Sequence, residues 1–265
     1  MPEATFNHPL FGSVRFRTAH SSWVRGDKIS IVIGFNIEDI QPLTIPQLAH
    51  VPGSNHGALS FHKRAHAQVL AVFADIEHLG LLHHIKTCGG ALNFRLRKPT
   101  NGALSKLPSN HAFGIAIDLN EDDGSLGSSV APVAPVFEAF QFKWGKSFND
   151  PMHFEVKKFV DQPRSIVQEV AVVLDGSNID LGAKNLMGVL VADVSKAGSL
   201  PGVSVERGSG ASMKFKGPSR TQSLAVNRFG NDLAFVSLPQ LAGIAGFSVD
   251  FDNTTKTARL IKIST

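Results

Sequence analysis

Two stretches of this chain carry residues able to hold a metal ion and to use it. The first is Ser109-Asn110-His111-Ala112-Phe113-Gly114-Ile115-Ala116-Ile117-Asp118. The second is Trp144-Gly145-Lys146-Ser147-Phe148-Asn149-Asp150-Pro151-Met152-His153-Phe154-Glu155. A hydrolytic zinc site takes three protein ligands, imidazole nitrogen or carboxylate oxygen, and leaves a fourth position for water. His111, Asp118 and His153 supply such a set. Zinc held this way brings the pKa of its water to about 7, so hydroxide is accessible at neutral pH. Hydrolysis also needs a base that takes the water proton and passes it to the leaving group. Asp150 precedes His153 by three residues, near enough to serve the site without ligating the ion. Pro151 stiffens the backbone between them. The developing oxyanion calls for a cationic donor. Arg95 or Arg97 can fill that role, or can grip a substrate carboxylate through two parallel hydrogen bonds.

Each of these residues has an ordinary structural reading on its own. A histidine beside a strand is usually a satisfied core group, and Asp-Pro often opens a turn. The four together, with Gly114 and Trp144 beside them, make a site.

The elements must then bring them to one place. Seven residues along a single strand would hold His111 and Asp118 too far apart, so a turn or bulge at Gly114 is required. Phe113, Ile115 and Ile117 alternate as in a strand running from His111 to Leu119. A separate strand is expected from Asp150 through Phe154 to Val156, and a helix over 132–140 opened by Pro132. Upstream, Val69, Val72, Phe73 and Ile76 follow helical spacing, predicting a helix over 60–80 that stops at Gly80. His62 and His66 lie four apart on it, but the glutamate of a zinc-protease helix is missing, so they read as exposed or capping histidines. Residues 1–58 read as irregular, with short strands such as Lys28–Ile33.

The whole chain sets further bounds. Its 265 residues suit two domains. A hydrophobic fraction of 43% is enough for a core of ordinary size. The single cysteine, Cys88, excludes an internal disulfide and reads as a small buried hydrophobe. The net charge of +4 is spread evenly, with no basic stripe, so no nucleic-acid partner is expected. No stretch is long and apolar enough for a transmembrane segment. Met1-Pro2-Glu3-Ala4-Thr5-Phe6 shows no signal-peptide pattern. The expectation is therefore a soluble cytoplasmic product.

The spacing Ser-x-His-x-x-Gly-x-Ala-x-Asp, followed by Asp-x-x-His, resembles the M15 metallopeptidases. These include D-alanyl-D-alanine carboxypeptidases, D-Ala-D-Ala dipeptidases and phage L-alanyl-D-glutamate endolysins. The likeness spans roughly residues 20–157, with Phe61-His62-Lys63-Arg64-Ala65 and Gly89-Gly90-Ala91-Leu92-Asn93-Phe94-Arg95 inside it. It implies Zn2+ on His111, Asp118 and His153, Asp150 as base, and Arg95 at the substrate or transition state. Ser109 falls at the motif's serine beside the substrate, and Arg97 and Trp144 join it as expected substrate contacts. The implied fold is α+β: a small antiparallel-sheet core of the hedgehog and D-Ala-D-Ala peptidase type, followed by a smaller α+β repeat domain. The implied substrate is a peptidoglycan stem peptide, met at the bacterial wall after release. Asp150 departs from the dipeptidase branch, which uses glutamate there, and is closer to the endolysins and carboxypeptidases. A different class shares this fold: non-hydrolytic zinc modules, related to the hedgehog signalling domain, that bind wall peptides or a partner. The presence of Asp150 favours the enzyme.

The catalytic domain is expected over 1–162 and a second domain over 168–265, with Asp161-Gln162-Pro163-Arg164 as linker. Within the second, Val191–Glu206 and Val236–Asp250 each read as strand, short helix, then strand pair, at a period of about 45 residues typical of modular repeats. Phe235–Ala242, Phe247–Asp252 and Thr257–Ile261 resemble the stalk-like domain named after the N-terminal part of copper amine oxidases, which implies a spacer or wall-binding module.

Overall fold

The computed structural model describes residues 1–206, 211–229 and 233–263. The chain forms two compact units, Met1–Arg164 and Ser165–Thr265. Both mix few helices with mostly antiparallel sheets.

The first unit opens with β1 (Glu3–His8), β2 (Gly12–Thr18) and β3 (Ile29–Ile33), an antiparallel sheet in that order. This region is more regular than expected. β2 buries a clean alternating face (Val14, Phe16, Thr18) and β1 alternates Ala4, Phe6 and His8 with exposed neighbours, whereas β3 shows no such period. β4 (Ile40–Thr44) and β5 (Ala58–His62) pair next. Helix α1 (His66–His78) follows, so the expected helix over 60–80 begins late. Residues 58–62 are drawn into a strand by pairing with β4, and Lys63–Ala65 form a 3-10 turn. His62 caps that turn by accepting the Arg64 N–H, and His66 Nε2 donates to the Phe61 carbonyl. His62 is buried rather than exposed.

The central sheet has the order β6-β7-β9-β8, with β6 (Cys88–Gly90), β7 (Ala116–Leu119), β8 (Phe142–Trp144) and β9 (His153–Val156). Helix α2 (Ala134–Ala139) precedes β8 and carries Pro135 in its first turn; Pro132 lies outside it. Strand alternation gives this sheet two different faces. Ile117 faces Phe154 across β7 and β9 on the core side. There Phe154 stacks on Phe137 of α2 at 4.1 Å between centroids, and Phe137 meets Phe73 of α1 edge-on at 5.7 Å. Asp118, His153 and Glu155 project from the opposite side. Cys88 is buried, as expected.

The second unit contains β10 (Val167–Glu169), β11 (Ala171–Leu174), β12 (Ser177–Ile179), β13 (Lys184–Leu186), β14 (Val189–Asp193), β15 (Ser204–Glu206), β16 (Ser212–Lys216), β17 (Thr221–Ala225), β18 (Asn227–Phe229), β19 (Leu233–Ser237), α3 (Leu238–Ala245), β20 (Phe247–Asp252) and β21 (Thr257–Lys262). They form sheets β10-β13-β14-β19-β18, β12-β11-β21-β20 and β15-β16-β17. The two expected repeat halves both run strand, helical turn, strand. In the first, Asp193 caps a 3-10 turn over Val194–Ser199; in the second, Ser237 caps α3. β14 and β19 pair antiparallel, but β15 and β20 enter different sheets, so the likeness stops there. No helix among the described residues is long and apolar enough to cross a membrane.

Candidate metal centre

His111 does not lie on a strand. It sits in a 3-10 turn over Asn110–Phe113, which ends at Gly114 with φ +62°. A side chain at Gly114 would be strained at that φ and would bring its Cβ to 2.9 Å from the His62 amide nitrogen. The turn reverses the chain into β7 and aims His111 back toward Asp118. The expected strand over 111–119 therefore shortens to 116–119, and Gly114 is the required bend. Asp118 faces His153 directly across the β7–β9 pair.

The three side chains converge. His111 Nε2 lies 3.1 Å from Asp118 Oδ2, and His153 Nδ1 lies 2.9 Å from Asp118 Oδ1. The two ring nitrogens are 3.2 Å apart. All three residues are buried. The proton positions follow from the outer partners. His111 Nδ1 faces the Ala91 carbonyl at 3.0 Å, which can only accept, so that nitrogen carries the hydrogen. His153 Nε2 faces Glu155 Oε2 at 3.1 Å and donates in the same way. The inward nitrogens are then lone pairs, and Asp118 brings a carboxylate between them. Three acceptors this close demand a cation. Ligands bound at about 2.0 Å in a tetrahedron are roughly 3.3 Å apart, close to the spacing seen. His111, Asp118 and His153 can thus hold a metal ion.

The electrostatics say the same. Burial opposes charge on Asp118, but its bonds to His111 and His153 hold it well below the usual carboxylate range. Burial likewise pushes His153 down, yet the Asp118 and Glu155 carboxylates outweigh it and raise it to about 9. The cage is built to hold a positive charge, whether a proton or a metal ion.

Beside it opens a cleft of about 320 Å³, lined in part by Arg95, Arg97, Ser109, Asp150, His153 and Glu155. Among the described residues, the buried Asp150 Oδ1 has no hydrogen-bond partner. Burial raises its pKa. Arg95 donates to the Leu96 carbonyl and Arg97 to the Pro108 carbonyl, so both guanidinium groups are anchored at the wall. Their charges act on different acids: that of Arg95 on Asp150, that of Arg97 on Glu155. Ser109 is buried at the cleft and its amide bonds the Arg95 carbonyl.

Trp144 is not among the residues lining the cleft. Its indole N–H bonds the Pro151 carbonyl at 2.6 Å and its ring lies parallel to Phe154, so it anchors the segment that carries Asp150. Gly145 lets that segment close: a Cβ there would run into the Asp150 carbonyl oxygen and lie 3.0 Å from His153 Cβ. Gly145→Ala is expected to cost about 1–3 kcal/mol, as overpacking does, and to weaken metal binding. Chemical denaturation and zinc titration would check this.

The sequence reading missed Glu155 and Asn110. Glu155 had a signal, since two residues beyond His153 on a strand is the same face. Asn110 had none beyond adjacency to His111.

Residues 103–156 match the M15 peptidase family model described as D-alanyl-D-alanine carboxypeptidase. Comparisons with curated proteins and with solved structures gave no match. The matched segment contains His111, Asp118, Asp150 and His153, whereas Arg95 and Arg97 lie outside it. The segment that builds the metal centre is therefore similar to M15 peptidases, which supports peptidase activity on peptidoglycan-related substrates.

Proposed function

We propose that this chain is a zinc-dependent peptidase that hydrolyses peptide bonds in peptidoglycan stem peptides. The bond is either L-alanyl-D-glutamate, as in phage endolysins, or the terminal D,D bond, as in carboxypeptidases. One observation carries the reading: the buried side chains of His111, Asp118 and His153 approach one another pairwise to 3.2 Å or less, with one ligand atom from each within 4.8 Å of the others, beside a cleft. His111, Asp118 and His153 are the zinc ligands, a donor set suited to that ion. Zinc in this cage supplies a Lewis acid that polarises the scissile carbonyl and acidifies water.

The chain's own groups do the rest. Asp150, one oxygen of which has no partner among the described residues, takes the proton of the attacking water and delivers it to the leaving amine. Arg95, whose charge acts on Asp150, binds a substrate carboxylate or the developing oxyanion. Arg97, Lys98 and Lys143 add positive charge to the wall, which suits an anionic stem peptide. Ser109 contacts the substrate backbone. The unit from Ser165 onward serves as a stalk-like spacer or wall-binding module, and the enzyme works at the wall after release.

Mass spectrometry of purified peptidoglycan incubated with the zinc-loaded chain tests this. Peptides newly beginning at D-glutamate identify the endopeptidase, and stems shortened by one alanine the carboxypeptidase. Intact stems after prolonged incubation would reject hydrolysis and leave a binding module.

A further inference from the structure

A file of hydrogen bonds runs from the N-terminal hairpin to the metal cage, and each link has one chemically permitted direction. The Leu10 amide N–H points at His8 Nδ1 at 3.0 Å, so that nitrogen holds the lone pair. His8 is buried among the rings of Phe6, Phe11 and Phe113. Burial lowers its pKa and keeps the ring neutral. Its one proton is then on Nε2, which faces Asn110 Oδ1 at 3.1 Å. With its oxygen used this way, Asn110 turns its amide N–H to Glu155 Oε2 at 2.6 Å. The same carboxylate oxygen accepts from His153 Nε2 at 3.1 Å. His153 Nδ1 is thereby left as the lone pair that faces the cage.

His8 and Glu155 together fix the orientation of Asn110, one at each end of its amide. A flipped amide would set its oxygen against the Glu155 carboxylate, two acceptors within hydrogen-bond distance. It would also set its NH2 against the N–H of His8. Leu10 forbids the other His8 tautomer, so the flip has no relief. Asn110 in turn is the donor that holds Glu155 against His153. A metal-bound imidazole oriented by an outer carboxylate typically loses 10–100-fold in metal affinity when that partner is removed.

We propose that His8, on β1, is a positioning residue for the metal centre, acting through Asn110 and Glu155 to hold His153 with Nδ1 toward the ion. This rests on the metal-centre reading above. It gives the N-terminal hairpin, which lies outside the family-matched residues 103–156, a part in the site.

The test is zinc affinity of the full chain, measured by competition with a chromophoric chelator. His8→Phe keeps an aromatic ring in the cluster and removes the donor. It should bind zinc about tenfold more weakly, at the lower end of an outer-partner effect, with its melting temperature near that of the wild type. His8→Gln places an N–H near the Nε2 position and should restore affinity. Asn110→Ala, which leaves the hairpin intact, should weaken binding as well, and still reports if His8→Phe fails to fold. Because the two act in series, the double variant should be no weaker than Asn110→Ala alone. Wild-type affinity in Asn110→Ala, or in a folded His8→Phe, overturns the proposal while the metal reading stands. A wild-type chain that binds no zinc overturns both.

Discussion

Asp150→Asn should lower hydrolysis of peptidoglycan by about 10²–10⁴-fold, the range a general base contributes, while zinc stays near one per chain. The amide matches the carboxylate in shape but cannot take a proton. Asp150 lies outside the metal-holding cluster, so the ion should be retained. The pH profile gives a second readout. Burial raises the Asp150 pKa, against the attraction of His153. A base must be deprotonated, so activity should fall with decreasing pH as Asp150 takes up a proton. That acid limb should vanish from the residual activity of the variant. Metal analysis and pH–rate curves on both proteins check this. Loss of zinc together with activity in Asp150→Asn would refute the base assignment.

The largest effect on the metal itself is expected from His153→Ala, which should abolish both zinc binding and hydrolysis. Removing Nδ1 leaves two ligands and strands the buried Asp118 carboxylate without its partner at 2.9 Å. A fully active, zinc-free variant would defeat the ligand assignment. The wild-type protein offers a related measurement. His153 is raised from 6.5 to about 9, so below that pH a proton occupies the cage. Zinc must displace it, and affinity should rise about tenfold per pH unit as pH increases toward 9. Folding of the metal-free protein should follow the opposite course. A raised folded pKa contributes stability that is complete below 6.5 and lost as pH climbs through about 9. Zinc titration and denaturation as functions of pH would show the two trends.

Some of this was readable without coordinates. The cluster of His111, Asp118 and His153 was identifiable because ligand chemistry restricts residue types and spacing within two short stretches. Helix α1 was identifiable because its buried face at Val69, Val72, Phe73 and Ile76 repeats every three or four residues. The short helix expected between strands over 236–250 is α3. These signals are local. Where local signals compete, tertiary pairing wins. Residues 58–62 became a strand because β4 was there to pair with them, and His111 became a turn residue because Gly114 turns the chain.

Residue types and their spacing thus pointed to a chemistry of three ligands, a base and arginines in reserve, and the fold brings the three ligands together. Which way those groups point was settled only by folding. The β7–β9 register sets Asp118 opposite His153, and the Trp144 indole N–H is turned to the Pro151 carbonyl. His8 reaches Asn110 across 102 positions of chain, a separation at which no period or motif in the sequence carries information. Such contacts are selected by burial and hydrogen-bond satisfaction over the whole unit, and those forces have no local trace.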